Sequence, residues 1–275
     1  MPELLEVEHV RRTLEPVLIG RRVARVVVRR ADVVEGPRGA HDLLEGGVVR
    51  ELRRKGKQLA IIAEDGRAIC VHLGMTGQLR YEGDEQPREE RNHVHIIWNL
   101  ADARADGRMV FRDPRRFGGV WTFGSLDELE ESRWSAIGPD ALMIESAELQ
   151  EALGASRRTI KSALLDQRAL AGVGNIYADE ALFEAGVRPA RVCRRIRSEE
   201  WERIARAVRS VLERAIAAGG SSIRDYVDGL GDAGAFQFQH RVYGRGGESC
   251  LRCGKRLRSA SIAQRTTTWC PRCQR

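Results

Sequence analysis

At 275 residues, with 42% hydrophobic and 31% charged residues, the chain has room for one large domain or two modest ones and the balance of an ordinary globular protein. It has no apolar run of the roughly 18 residues a membrane helix needs, and Glu3, Glu6, Glu8, Arg11, Arg12 and Glu15 in the first twenty positions exclude a secretory signal. The net charge of +7 is concentrated: from Arg245 onward eight basic residues face one acid, Glu248, leaving 38 of each sign elsewhere, which favours nucleic acid as a partner over a merely solvated surface.

Residues 2–18 place Leu4, Val7, Val10, Leu14 and Leu18 near one face at helical spacing, and Gly20 stops that helix. From 22 to 123 the pattern changes to short β-branched or alternating runs, predicting strands at 22–29, 48–53, 58–63, 68–73, 93–99, 108–112 and 119–123. Asp65-Gly66 between two of them is a hairpin signal. One helix followed by seven strands predicts a β-sandwich or barrel. The β-to-α boundary is expected within 125–145, around Gly138-Pro139. Beyond it, Ile160, Ala163 and Leu164 mark one helix, and Ile176, Leu182 and Phe183 mark another that Gly186 ends. Ser198-Glu199-Glu200 opens a longer helix with Ile204, Val208, Val211, Leu212 and Ala215 as its buried stripe, closed by Gly219-Gly220. Residues 228–240, Gly-rich and containing Phe236 and Phe238, read as a mobile loop. The fold class is α+β.

The chain ends in Cys250-x2-Cys253-x16-Cys270-x2-Cys273. A cytoplasmic location is expected, where thiols stay reduced, so two CxxC knuckles at this separation favour one structural zinc over disulfides. Four thiolates leave no open position for water, so no catalytic role is expected of the metal. Arg265, at the tip of a hairpin and followed by Thr266, Thr267 and Thr268, suits a phosphate; an ordinary exposed turn accounts for it equally well.

Pro2-Glu3 fits the first turn of a helix, where proline needs no donor and an acid suits the dipole. If Met1 is removed, it also offers a secondary amine beside a carboxylate. An α-amine with a pKa near 7.7–8.0 is roughly one-tenth unprotonated at neutral pH, far more than lysine. Attack on a sugar C1′ gives an iminium directly, with Glu3 to move protons and Glu6 one turn on to orient it. Lys55 and Lys57, two of only four lysines, lie in a basic turn. Met75 and Phe117 are by default core residues, yet both sit in Gly- and Pro-bounded turns where wedges entering a base stack are displayed. Gly172-Val173-Gly174-Asn175 lacks the third glycine of a dinucleotide loop and follows a helix. It reads better as a glycine turn with Asn175 at the N-cap of the next helix, whose free amides would hold a phosphate.

Together these motifs resemble the formamidopyrimidine-DNA glycosylase family: Pro-Glu-Leu-x-Glu-Val-Glu at 2–8, His-Leu-Gly-Met-x-Gly at 72–77, Asp-Pro-Arg-Arg-Phe-Gly at 113–118, Gly-Val-Gly-Asn-Ile-Tyr at 172–177, Val-Tyr-Gly-Arg at 242–245, and the cysteine ribbon. The resemblance implies an N-terminal β-sandwich opened by one helix (1–130), a helix–two-turn–helix domain (145–230) and a zinc ribbon (241–275), with DNA in the cleft between the halves. It implies excision of oxidised purines, such as 8-oxoguanine and formamidopyrimidines, followed by β,δ-elimination. Pro2 would be the Schiff-base nucleophile and Glu3 the general acid/base; Lys57 would assist β-elimination and Arg265 δ-elimination. His72 and Asn175 would clamp phosphates. Met75, Arg115 and Phe117 would fill the gap left by the everted nucleotide, with Arg115 reading the opposite cytosine, and the 220–240 loop would cap the everted base. Arg91, His93, Arg116 and Arg157 complete the implied DNA contacts, Arg91 and Arg157 standing where the family usually has His and Lys. Leu5 replaces a usual proline. The implied partner is double-stranded DNA with an oxidised purine or abasic site, bound by a monomer with no membrane and no organic cofactor. Two other readings stay open: an endonuclease VIII-like oxidised-pyrimidine glycosylase, and a non-catalytic zinc-ribbon DNA-binding protein.

Overall fold

The computed structural model describes residues 2–36, 42–83, 92–101, 107–222 and 226–275. They form two compact units, Met1–Ala136 with Gly219–Ala235, and Ile137–Ala218 with Phe236–Arg275.

The first unit opens with α1 (Leu4–Leu18), whose Val7, Val10, Leu14 and Leu18 are buried as their spacing requires. Strands β1 (Arg22–Val28), β2 (Val34–Glu35), β3 (Val49–Lys55), β4 (Gln58–Ala63), β5 (Ala68–His72), β6 (Gln78–Gly83), β7 (Val94–Ala101), β8 (Gly107–Arg112) and β9 (Gly119–Phe123) follow. They make a four-stranded sheet, β1-β7-β8-β6, and a five-stranded sheet, β2-β9-β5-β4-β3, antiparallel except for the β2–β9 pair. Leu52, Ile61, Ile69, Val71 and Val120 of one sheet share a single buried cluster with Leu79, Ile96, Trp98 and Phe111 of the other and with the α1 stripe. That shared core makes the unit a β-sandwich. Each fully buried Leu or Ile contributes about 1.5–3 kcal/mol. Asp65-Gly66 forms the expected turn, with Gly66 at φ 93° and β4 paired to β5 from Ile62↔Ala68 to Gln58↔His72.

Strand β6 was not among the expected elements. Only Leu79 and Tyr81 alternate there, and pairing with β8 along its whole length supplies the rest. A short helix, α2 (Leu126–Leu129), capped by the Ser125 side chain, closes this part of the chain.

The second unit holds α3 (Ser146–Leu153), α4 (Ile160–Leu164), α5 (Asn175–Ala185) and α6 (Ser198–Ala217). Trp201, Ile204, Val208, Val211, Leu212 and Ala215 form the buried stripe of α6, which packs on α5 and α3. Gly186 ends α5 in the left-handed conformation, φ 73°, that an L side chain resists. Only Leu149 and Leu153 mark α3, too few for its sequence to declare a helix. The ribbon hairpin, β10 (Arg258–Ile262) and β11 (Arg265–Trp269), turns through Ala263 and Gln264, both at positive φ. Among the described residues no helix is long and apolar enough to cross a membrane.

Candidate active site and nucleic-acid interface

Pro2 and Glu3 are both buried at the start of α1, with Glu3 at its extended N-cap position. The Glu3 amide donates to Glu6 Oε2 at 2.7 Å, which keeps two carboxylates at the positive end of the helix. Glu6 also reaches into the segment after α6. Its Oε1 accepts from the Ser221 amide at 3.1 Å, and its carbonyl accepts from the Tyr226 hydroxyl at 3.3 Å. Further along, the His9 ring meets Asp228 at 3.4 Å, the Gly229 amide donates to Thr13 Oγ1 at 3.0 Å, and the Tyr81 amide donates to the Gly229 carbonyl at 2.7 Å. The stretch expected as a mobile loop is therefore tied to α1 and β6 over these residues. Phe236 at its end is buried, whereas Phe238 is 85% exposed.

Lys57 sits, largely buried, in the tight turn between β3 and β4, which Gly56 makes at φ 55°. Across the β4–β5 pairing, Gln58 faces His72. Burial pushes the His72 pKa down, and the nearby positive charges of Arg133 and Lys57 push it further, to about 4. The imidazole is therefore neutral near pH 7. Its Nδ1 accepts from the Gly74 amide at 3.3 Å, so the ring hydrogen sits on Nε2 as a donor. Sequence reasoning missed Arg133 and Gln58. Gln58 Oε1 accepts from Arg133 Nε at 2.8 Å and from Trp134 Nε1 at 3.2 Å, and the guanidinium stacks 3.5 Å from the Trp121 ring centroid. The pairing of Gln58 with His72 was the signal available, but Arg133 lies too far along the chain for spacing to reveal it.

Met75 and Phe117, which composition would bury, are 39% and 55% exposed. The Arg115 guanidinium lies 4.6 Å from the Phe117 ring centroid. Exposed His93 immediately precedes β7 and Arg116 follows Arg115; both have positive φ, 65° and 54°. The Arg116 side chain is engaged with Asp32 at 2.5 Å. Arg91 lies outside the described residues.

In the second unit, Asn175 is the first residue of α5 rather than its N-cap, which is Gly174. The Asn175 amide is diverted to the ribbon: Nδ2 donates to the Thr266 carbonyl at 3.2 Å. Lys161, with no exposed surface, donates to the same carbonyl at 3.3 Å and to Asp179 at 2.6 Å, and Asp179 accepts from the Thr268 amide at 3.0 Å. Asn175 and the Arg265 hairpin are thereby brought together, while the Arg265 side chain itself is exposed. Arg157 is also exposed, just before α4. Lys161 and Asp179 were not singled out by the sequence, because an apolar helix face conceals a buried pair.

The four ribbon sulfurs all lie within 4.8 Å of one another, with Cys250–Cys273 at 4.0 Å and Cys253–Cys270 at 3.6 Å. A tetrahedral Zn–S length of about 2.3 Å requires sulfurs about 3.8 Å apart, so the donor set fits one structural zinc and not disulfides. Amides of Arg252 and Cys273 donate to the Cys250 and Cys270 sulfurs, each at 3.4 Å, which orients those ligands.

Three domain families match the chain in order: the formamidopyrimidine-DNA glycosylase N-terminal domain over residues 1–120, the formamidopyrimidine-DNA glycosylase H2TH domain over 137–227, and a zinc finger found in FPG and IleRS over 247–275. Curated relatives include formamidopyrimidine-DNA glycosylases of Desulfitobacterium hafniense, 39% identical, and Laribacter hongkongensis, 41% identical, each aligned over 100% of both chains. Among solved structures, Lactococcus lactis Fpg in complex with abasic-site DNA superposes with a TM-score of 0.89 at 33% identity, covering 99% of each chain. The same organism's enzyme bound to DNA with an oxidised pyrimidine gives 0.88 at 32% identity, covering 100% of each chain. The chain belongs to the formamidopyrimidine-DNA glycosylase family.

Proposed function

We propose that the protein is a base-excision-repair DNA glycosylase and AP lyase that removes oxidised purines from duplex DNA and cuts the strand by successive β and δ elimination. The observation that carries this is the amino-terminal arrangement: Pro2 and Glu3 together at the head of α1, with Glu6 fixing the Glu3 backbone. Once Met1 is removed, the Pro2 nitrogen attacks C1′, and the C1′–N bond to the damaged base breaks as the base leaves with a proton. Protonation of O4′ and opening of the C1′–O4′ bond then turn the secondary-amine adduct into a cationic iminium. It takes up the electron pair freed when C2′ is deprotonated, and the resulting enamine returns that pair to form C2′=C3′ as the C3′–O bond breaks and the 3′ phosphate leaves with the bonding pair. A second elimination releases the 5′ phosphate. Glu3 carries the protons at the sugar.

Lys57 assists the first elimination and Arg265 the second, each also holding phosphate. His72 donates from Nε2, and Asn175 stands at the α5 N-terminus, whose amides attract the same charge. Met75, Arg115 and Phe117 fill the vacated stack; their exposure on turns supports that role. His93, Arg91, Arg116 and Arg157 form the outlying contacts, with Arg116 first having to release Asp32. The zinc holds the ribbon. The functional parts are 1–130, 145–230 and 241–275, acting as a cytoplasmic, nucleoid-associated monomer.

Borohydride reduction during incubation with duplex containing 8-oxoguanine opposite cytosine tests the proposal. A covalent protein–DNA adduct is expected, and its absence from protein with a verified free Pro2 would overturn it. A parallel thymine glycol substrate addresses the oxidised-pyrimidine reading, which gains weight if that lesion is processed faster.

A further inference from the structure

We propose that Asp113 is the positioning residue of the plug: its buried carboxylate locks the Met75 loop and the Arg115–Phe117 loop into one body and so sets how the base opposite the lesion is read. The inference rests on the roles assigned above to Met75, Arg115 and Phe117.

Asp113 has no exposed surface. Its Oδ1 accepts from the Thr76 hydroxyl, on the loop that carries Met75, and from the Arg115 amide at 3.2 Å. Its Oδ2 accepts from the Gly118 amide at 2.8 Å. Thr76 Oγ1 also accepts from the Arg115 amide at 3.2 Å, closing a ring of bonds between the loops. The backbone of Asp113 is held as firmly. Its amide donates to the His93 carbonyl at 3.0 Å, and its carbonyl accepts from the Arg116 amide at 3.2 Å and from His95 Nε2 at 2.8 Å. A buried carboxyl group requires donors to offset its lost hydration, and here those donors come from both loops.

The main chains of the loops also meet without side chains between them. A Cβ on Gly118 would lie 2.5 Å from the His72 carbonyl, and one on Gly74 would strike the Phe117 carbonyl carbon and the Gly118 amide. Close approach brings the loops together, and Asp113 fixes their register. His93 and Arg116 keep left-handed backbone that L-residues disfavour, which persists only where neighbouring bonds over-determine it. The three side chains displayed outward, Met75, Arg115 and Phe117, thus share one buried anchor. The hydrogen bonds of Asp113 reach none of Pro2, Glu3 or Lys57. Recognition of the opposite base should therefore be separable from chemistry at the sugar.

The test uses full-length zinc-loaded protein carrying Asp113→Asn, Asp113→Ala or Thr76→Val. Single-turnover excision of 8-oxoguanine opposite cytosine and opposite adenine is compared with borohydride trapping on a preformed abasic site. The preference for cytosine should shrink by about tenfold in Asp113→Ala, the scale of one lost bidentate base contact. It should shrink less in Asp113→Asn, which keeps one acceptor, while abasic-site trapping stays near wild type in both. Thr76→Val, which removes the hydroxyl's two bonds to the other loop and leaves the Asp113 carboxylate in place, should move the ratio the same way. It decides the matter if the Asp113 variants do not fold. An unchanged cytosine preference in folded variants overturns the inference, as does a fall in trapping that parallels the fall in excision. Failure of the wild-type protein to form any adduct is a different result: it removes the glycosylase reading, and the inference with it.

Discussion

The plug loops of the sandwich and the Arg265 hairpin of the ribbon both display an exposed arginine, yet they are held by different physics. Behind the plug stands a core drawn from α1 and two sheets, and a single carboxylate, Asp113, suffices to set the loops on it. Among the described residues, the buried cluster behind the hairpin is small: Phe183, Val242, Cys250, Leu257 and Cys270, with Cys253 and Cys273 packed against it. A core that small needs a metal, and here it is helped by hydrogen bonds that Lys161 and Asn175 donate to the backbone of β11 and that Asp179 accepts from it. Where apolar burial is plentiful, polar groups tune a loop. Where it is scarce, they hold it up.

That contrast breaks most visibly on loss of zinc. Structural zinc in small fingers contributes about 10–16 kcal/mol at neutral pH. Chelation, or Cys270→Ser, should abolish hydrogen-exchange protection of β10 and β11 while leaving β4, β5 and β9 protected. Retained protection in the hairpin would show that the metal is dispensable. The buried ion pair comes next. Lys161→Met leaves Asp179 without its cation and should destabilise the second unit by about 3–5 kcal/mol in denaturant unfolding. Burial raises the Asp179 pKa to about 6 even with Lys161 pulling it down. Lys161→Met combined with Asp179→Leu should recover much of the loss, and no recovery would mean the pair is not the coupled unit described.

A smaller effect is expected from pH in the first unit. The His72 pKa is depressed to about 4 in the folded protein, whereas an unfolded histidine titrates near 6.5. Between those values the unfolded state binds more protons, so stability contributed by neutral His72 is full above about pH 6.5 and is lost as pH falls towards 4. His72→Gln should flatten that part of the stability profile; an unaltered slope would assign it to other groups. Arg265→Ala should be the mildest for the fold, within about 0.5 kcal/mol as for other surface changes, with zinc retained. It should nonetheless weaken DNA binding, make the log–log salt slope shallower by about 1, and suppress δ-elimination. Zinc loss from this variant would contradict the separation of the arginine from the metal site.

Much of this was legible in the sequence where the signal is local. The α1 stripe, the Asp65-Gly66 turn, the Gly186 stop and the two CxxC knuckles each follow from spacing and backbone preference, and each is found in place. Strand β6 and helix α3 were not legible, because each offers only two apolar residues and depends on a neighbour for the rest. Asn175 was placed one residue early, since nothing local reveals that Thr266 captures its side chain. The same limit hid Asp113, Lys161 and Asp179. A charged residue in a sequence looks solvated until its buried donors, distant along the chain, are known. Motifs therefore disclosed the residues proposed to meet DNA, and left unseen those that hold them.

The most direct measurement is the identity of the residue joined to DNA. After borohydride trapping on abasic-site duplex, the adduct is digested and its peptide sequenced by mass spectrometry. The account predicts the sugar remnant on the nitrogen of Pro2 in protein that has lost Met1. A remnant on Lys57 or any other lysine, or an adduct formed by protein that still carries Met1, would contradict it.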